Sequence, residues 1–339
     1  MDKELIFMLI TILISIGGAF LLTCTVMRFL LPWLVSKKLN QPIGEYAPKT
    51  HRKKSETPTF GGISFVAATT VVLILLSIAF AVYGAGERLI PLWLAFGLGL
   101  LNAAIGFIDD RSKLLKRQNE GLLAWQKYLL QLVASAIYLV LMVRLGYFDT
   151  ALEIPFTDLT LDLGVFSYVV ALILITGIVN STNLTDGVDG LLSSVSAVVS
   201  CFFLIVAVVL KDLNLSILPA LLLGGALGFL VYNAHPAKVF MGDTGSLFIG
   251  GVLCGIAFMM NEPFIILIVG GIYVIETASV ILQIISARLV DLGIRKTRFF
   301  RRTPIHHHFE LCNFTEKQIV ILFSVVSAIF AVIAWFGVR

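Results

Sequence analysis

Two adjacent carboxylates, Asp109 and Asp110, close an apolar stretch in the motif GFIDD. Adjacent carboxylates repel, and burial near lipid raises the cost of charging both, so such a pair needs a cation or a shared proton. Arg111 and Lys113 follow and are also compatible with a plain solvated helix end. A second cluster, NSTNLTDGVDG over residues 180–190, places Asn180, Asn183, Asp186 and Asp189 at every third position. On a helix each step of three drifts by about 60°, so the first three share one broad face, and Asp189 joins them if the helix ends at the glycines. Gly187 and Gly190 permit a tight turn and close backbone approach. The result is an array of oxygen ligands and amides richer than a simple cap requires.

A third cluster, NAHPAKVFMGDTGS, covers residues 233–246. Pro236 stops one helix, and Asp243, Thr244, Gly245 and Ser246 stand where the next begins. Free backbone N–H groups there suit an anion; Asp243 alternatively holds a hard cation, or serves, like Thr244, as an N-cap. The fourth, RKTRFFRRTPIHHHFE over 295–310, joins a basic run to His306, His307 and His308. The arginines also fit simple anchors on the positive side of a membrane. No Cys or further His completes a zinc site, and imidazole is a poor Mg²⁺ ligand, so diphosphate or sugar contacts suit these rings better. Thr59 lies in PTFGG, where Pro58 precedes a helix start. Lys127 either snorkels or neutralises phosphate. Glu276 lies deep in an apolar run, where charge is costly; it is protonated, paired or beside a helix break, and it is assigned no catalytic role.

Such residues need membrane elements to position them. The chain has 339 residues, 58% hydrophobic and only 14% charged, whereas soluble proteins carry about 25% charged residues. This excludes an ordinary cytosolic enzyme and a disordered chain, and the alternating strands of a membrane barrel would not reach such a composition. Ten apolar runs span residues 5–31, 60–82, 90–108, 122–143, 166–182, 191–210, 215–232, 246–260, 264–287 and 318–336. At about 1.5 Å per residue most can cross a core of about 30 Å; the run at 246–260 is short and begins in the polar loop before it. The expected fold is an all-α polytopic membrane protein forming one integral membrane domain over residues 1–339. Leu152, Ile154 and Phe156 alternate, as do Leu159, Leu161 and Leu163 beyond Thr157–Asp158, which predicts a small β-hairpin on the outer face. Cys24, Cys201, Cys254 and Cys312 lack metal-ligand spacing and read as packing residues in a reduced compartment.

Charge orients the bundle. Seventeen Lys and Arg residues fall in loops 32–59, 109–121, 183–190, 233–245 and 288–315, against five on the opposite face. The basic face is therefore cytoplasmic and both termini lie outside. Sorted this way, the overall charge of +4 divides into −4 outside and +8 inside. All four polar clusters fall on the cytoplasmic face. An anion transporter would instead line the midplane, where only Glu276 lies, and would often show internal repeats, which are absent.

PTFGG, GFIDD, NSTNLTDGVDGL, NAHPAKVFMGDTGSL and PIHHHFE together resemble, in order and loop position, the polyprenyl-phosphate N-acetylhexosamine-1-phosphate transferases. The resemblance runs over nearly the whole chain; Phe60 stands where that family more often has Met. The PIHHHFE form is similar to the branch using UDP-N-acetylmuramoyl-pentapeptide rather than the one using UDP-N-acetylglucosamine. The resemblance implies that undecaprenyl phosphate attacks the β-phosphate of the donor, that UMP leaves, and that Mg²⁺ is required. By motif, Asp243 would be the metal ligand, and Asp109 and Asp110 the essential pair near the lipid phosphate. Asn180, Asn183, Asp186, Asp189 and Asn233 would line the nucleotide and diphosphate site, with Phe240 facing the uracil. Lys54, Thr59 and Lys127 would join the polar rim, and His306, His307 and His308 would contact the sugar nucleotide. The implied setting is a bacterial plasma membrane, with a homodimer allowed and no nucleic acid involved.

Overall fold

A computed structural model describes residues 3–40, 56–82, 89–116, 121–157 and 159–338. Among these residues, ten helices are long and apolar enough to cross a membrane. They are α1 (Lys3–Ser36), α2 (Gly62–Val82), α3 (Ile90–Lys116), α4 (Ala124–Arg144), α5 (Phe166–Thr185), α6 (Leu191–Val209), α7 (Leu213–Asn233), α8 (Gly242–Met259), α10 (Gly271–Asp291) and α12 (Glu316–Trp335). Two short helices, α9 (Ile265–Val269) and α11 (Ile305–Glu310), complete the set. Lys54 lies outside the described residues.

Every backbone polar group in lipid must bond within its own segment, which is why helices carry the spans. Outward faces are apolar: Leu13, Leu21 and Phe29 on α1, Ile137 and Val140 on α4, and Ile321 and Ile329 on α12 are all exposed. The centre belongs to α8, whose apolar stretch is 83% buried against 22% for α12. Small residues let neighbours approach it closely, the usual basis of membrane helix packing. Gly251 stacks on Gly99, and Gly255 on Ala95 of α3. Nearer the start of α8, Gly106 of α3 touches the Asp243 carbonyl so closely that any Cβ would overlap it.

Several helix boundaries depart from the apolar runs. Helix α3 continues past residue 108 to Lys116, so Asp109 and Asp110 sit within it. Helix α8 begins at Gly242, inside the polar loop as its shortness implied. The ninth run is broken at Gly270, with α9 before it and α10 after. The basic stretch 295–302 is irregular, not helical.

The outer hairpin is present. Strands β1 (Ala151–Glu153) and β2 (Thr160–Asp162) pair antiparallel, with Leu152 opposite Leu161. The segment leading into it packs at the far end of α8, where Phe148 stacks on Tyr168 and Phe258. Helix α8 therefore separates the hairpin end from the polar end of the bundle by about 27 Å, the length of its 18 residues.

Candidate active site

The polar end gathers Asp243 and its partners from four helices. The Asp243 carboxylate accepts hydrogen bonds from Lys127 Nζ at 2.7 Å, Lys113 Nζ at 3.0 Å and Asn183 Nδ2 at 2.9 Å. Lys113 also pairs with Asp109 at 2.7 Å, one helical turn away on α3. Asn183 ties the group together, since its Oδ1 accepts from Lys127 at 3.0 Å and its Nδ2 also donates to Ser246 Oγ at 2.9 Å.

Asp110 has a different task. Its carboxylate accepts from the backbone N–H groups of Asp243 (3.0 Å) and Thr244 (2.9 Å), and from Thr244 Oγ1 (2.8 Å). The first amides of a helix lack internal partners, and here α3 supplies the acceptor. The sequence reading considered Asp243 or Thr244 as the N-cap of this helix; the acceptor is Asp110, and neither residue's side chain caps it. This frees the Asp243 carboxylate for the lysines. Asp109 accepts from Leu122 N at 2.7 Å, and Gly121 lies against it where a side chain would clash. Both Asp109 and Asp110 are only 3% exposed. One oxygen from each of Asp109, Asp110 and Asp243 lies within 4.8 Å of the other two.

Beside this cluster opens a cavity of about 280 Å³, lined by Thr59, Asn183, Asp186, Gly187, Val188, Asp189, Asn233, Phe240, Gly242 and Asp243. Two motifs distant in sequence build its wall as a backbone lattice. Phe240 N donates to Pro58 O at 2.8 Å, Gly61 N to Phe240 O at 2.9 Å, and Gly62 N to Met241 O at 2.8 Å. Thr59 is buried there and its hydroxyl has no partner among the described residues. Asn233 is fully engaged in holding the wall: it accepts from Gly190 N at 3.1 Å and donates to Val239 O at 2.9 Å. Asp186 caps the end of α5. Burial, reinforced by the carboxylates of Asp243, Asp110 and Asp189, pushes its carboxyl up to about 8.

Asp189 is clamped at the cavity rim. Its Oδ2 bonds to His235 Nδ1 at 3.0 Å and accepts from Ala237 N at 3.0 Å, while its own N–H donates to Glu316 of α12 at 3.1 Å. Asn180 lies apart from the cavity and donates to Gln131 Oε1 at 2.7 Å, linking α5 to α4. The three histidines also separate. His306 is buried against Glu276 of α10, with Nδ1 and Oε1 3.0 Å apart. His307 Nδ1 meets Glu310 at 2.6 Å, and burial holds the His307 imidazole below its ordinary range. His308 accepts from Arg301 N at 3.2 Å.

Several of these partners were not singled out from the sequence. Lys113 carried a signal, being placed four residues after Asp109 on the same helix face. Gln131, His235 and Glu316 carried none, because each meets its partner only through tertiary packing.

The family profile described as Glycosyl transferase family 4 matches residues 92–261. A phospho-N-acetylmuramoyl-pentapeptide-transferase of Bacillus cytotoxicus is 40% identical over 322 residues, covering 95% of this chain and 96% of that protein. Proteins of the same name from Bacillus thuringiensis and Bacillus mycoides match with the same identity and coverage. The chain belongs to glycosyl transferase family 4. It is a multi-pass membrane transferase, and the relatives' names agree with the branch to which the PIHHHFE motif pointed. The segment matched by the family profile runs from α3 to just beyond α8. It contains the Asp109–Asp110–Asp243 group, Lys127 and the residue 180–190 segment at the end of α5, whereas Thr59 and the three histidines lie outside it.

Proposed function

We propose that the chain transfers phospho-N-acetylmuramoyl-pentapeptide from its UDP-linked donor to undecaprenyl phosphate, giving lipid I and UMP for peptidoglycan synthesis. The observation that carries this reading is the Asp243 cluster on the wall of a polar cavity, at one end of a membrane bundle. A soluble nucleotide and a lipid phosphate can meet there. We take this end as cytoplasmic and both termini as outside, on the charge asymmetry of the loops.

The donor set fits Mg²⁺. Three converging carboxylates offer hard oxygen ligands without imidazole or thiolate, the pattern a hard cation requires. Asp243 would hold the ion, with Asp109 beside it; once bound, the ion neutralises charge on the donor diphosphate and the departing UMP. Lys113 and Lys127 add two cationic side chains to the same position, so the chain supplies part of that neutralisation itself. Phe240 offers a flat apolar face for the uracil, and Thr59 an unpartnered hydroxyl for a phosphate or ribose oxygen. Asp110 orders the α8 N-terminus, and Asp109 stands ready to take a proton from the acceptor phosphate. We favour direct in-line attack over a covalent phospho-aspartate. Asp110 is already committed to three hydrogen bonds, and Asp109 and Asp243 are each engaged by lysine.

Purified protein incubated with undecaprenyl phosphate, Mg²⁺ and either UDP-N-acetylmuramoyl-pentapeptide or UDP-N-acetylglucosamine tests the assignment through UMP release. The muramoyl donor is expected to react. Release from the N-acetylglucosamine donor alone would move the chain to the other branch, and no release from either would remove the transferase reading. A phosphorylated protein trapped with donor alone would establish the two-step route instead.

A further inference from the structure

Glu276 and His306 form a buried pair that does not line the cavity. Glu276 is 0% exposed and His306 1% exposed, with Nδ1 and Oε1 3.0 Å apart. A carboxylate buried at this depth is costly unless paired. Helix α10 is pinned on both sides of Glu276: Tyr273 OH meets Ser196 Oγ of α6 at 2.9 Å, and Thr277 Oγ1 donates to Ser181 Oγ of α5 at 2.7 Å. The carboxylate therefore has a fixed base. On the far side of the imidazole, Nε2 has no hydrogen-bond partner among the described residues. That ring edge lies against Gly187, so closely that a Cβ on Gly187 would overlap it. Gly187 belongs to the cavity wall, between Asp186 and Asp189.

We propose that Glu276 is a positioning residue for the reaction: acting through His306, it sets the place of the residue 186–190 loop and thereby the affinity for the nucleotide donor. This rests on the function proposed above. A carboxylate facing Nδ1 favours a proton on that nitrogen and fixes the plane of the ring, as outer partners of functional histidines commonly do. The fixed ring is the backstop against which the Gly187 backbone lies, and Asp186 and Asp189 follow that backbone. Without the carboxylate, the ring turns about its broad terminal torsion and the loop loses its support. The acceptor side, around Asp109 and Lys113, makes none of these contacts.

The full chain in detergent, as wild type, Glu276→Gln, His306→Gln and the double variant, tests this by UMP titration, donor and acceptor KM, and thermal unfolding. Glu276→Gln is expected to weaken UMP binding and raise the donor KM about tenfold, the lower end of what loss of such an outer partner costs. The acceptor KM should stay within about twofold, since the role is confined to one substrate. The double variant should bind UMP no worse than His306→Gln alone, because one residue acts through the other. Glu276→Asp, which keeps the carboxylate, should recover part of the loss. Unchanged UMP binding, a parallel rise in both KM values, or additive losses would overturn the proposal. UMP binding needs no turnover, so it reads the role of Glu276 even if the muramoyl donor fails to react.

Discussion

Asp110 binds three donors of α8 with one carboxylate, and that arrangement makes it sensitive to an isosteric change. Asparagine would turn an amide N–H₂ toward N–H and O–H groups, leaving a buried donor unsatisfied at a cost of about 1–3 kcal/mol. Asp110→Asn is therefore expected to lower the thermal unfolding temperature as well as turnover; an unchanged temperature would contradict the capping role. Asp186 gives a pH prediction with a definite sign. Its carboxyl sits near 8 in the folded chain, against about 4 when unfolded, so the folded form holds a proton that the unfolded form releases. Its favourable contribution is complete below the unfolded value and is lost as pH rises from about 4 to about 8. Unfolding temperatures measured without divalent cations should fall across that window, and Asp186→Asn should flatten the fall. An equal fall in the variant would assign the effect elsewhere. At this scale the sequence was informative about residue types and less so about partners. The adjacent acids at 109 and 110 read as one pair, yet Asp109 meets Lys113 while Asp110 caps a helix more than a hundred residues away. No local pattern encodes that division. The three adjacent histidines likewise face three different partners, because successive residues on a helix point about 100° apart.

The pairing of α3 with α8 does most to position the site. Gly106 allows the first turn of α8 to rest on α3, which puts Asp110 within reach of the Asp243 and Thr244 amides. Gly106→Ala should separate the helices at the site and reduce turnover by at least about tenfold. Gly97, on the same helix, has open space where its Cβ would go. Gly97→Ala should leave activity near wild type, since alanine is only a better helix former there by about 0.8–1.0 kcal/mol. Equal activity of the two variants would refute the close-approach argument. Element identity was legible because ten apolar runs and one alternating segment each match a membrane helix or a hairpin in length. Boundaries were less so. Helix α3 extends beyond the lipid-like residues because Asp109 and Asp110 find partners within the protein, and the ninth run is divided at Gly270. The charged stretch 295–302 has no apolar stripe to hold a surface helix; its backbone instead bonds to α10, with Phe299 N donating to Ser286 Oγ and Phe300 N to Gln283 Oε1.

The molecule as a whole is polar in one direction, with the carboxylate–lysine cluster at one end of α8 and the hairpin at the other. A reporter fused after the last residue should be accessible from outside the cell, and a single cysteine placed at the exposed Phe299 should label only from the cytoplasmic side. The reverse pattern would invert the orientation drawn from the basic loops. Class and span number were legible in the sequence, because they depend on sums over many residues, whereas the cavity depends on two motifs about 180 residues apart joining through backbone bonds. The central claim is that transfer takes place at the Asp243 cluster. Its most direct test is UMP release from UDP-N-acetylmuramoyl-pentapeptide and undecaprenyl phosphate during an Mg²⁺ titration, comparing wild type with folded Asp243→Asn. Wild type should be Mg²⁺-dependent, and the variant should lose at least about a hundredfold at saturating substrates, the size of effect expected when a group stabilising transition-state charge is removed. A variant with the wild-type rate and the wild-type Mg²⁺ dependence would contradict the account.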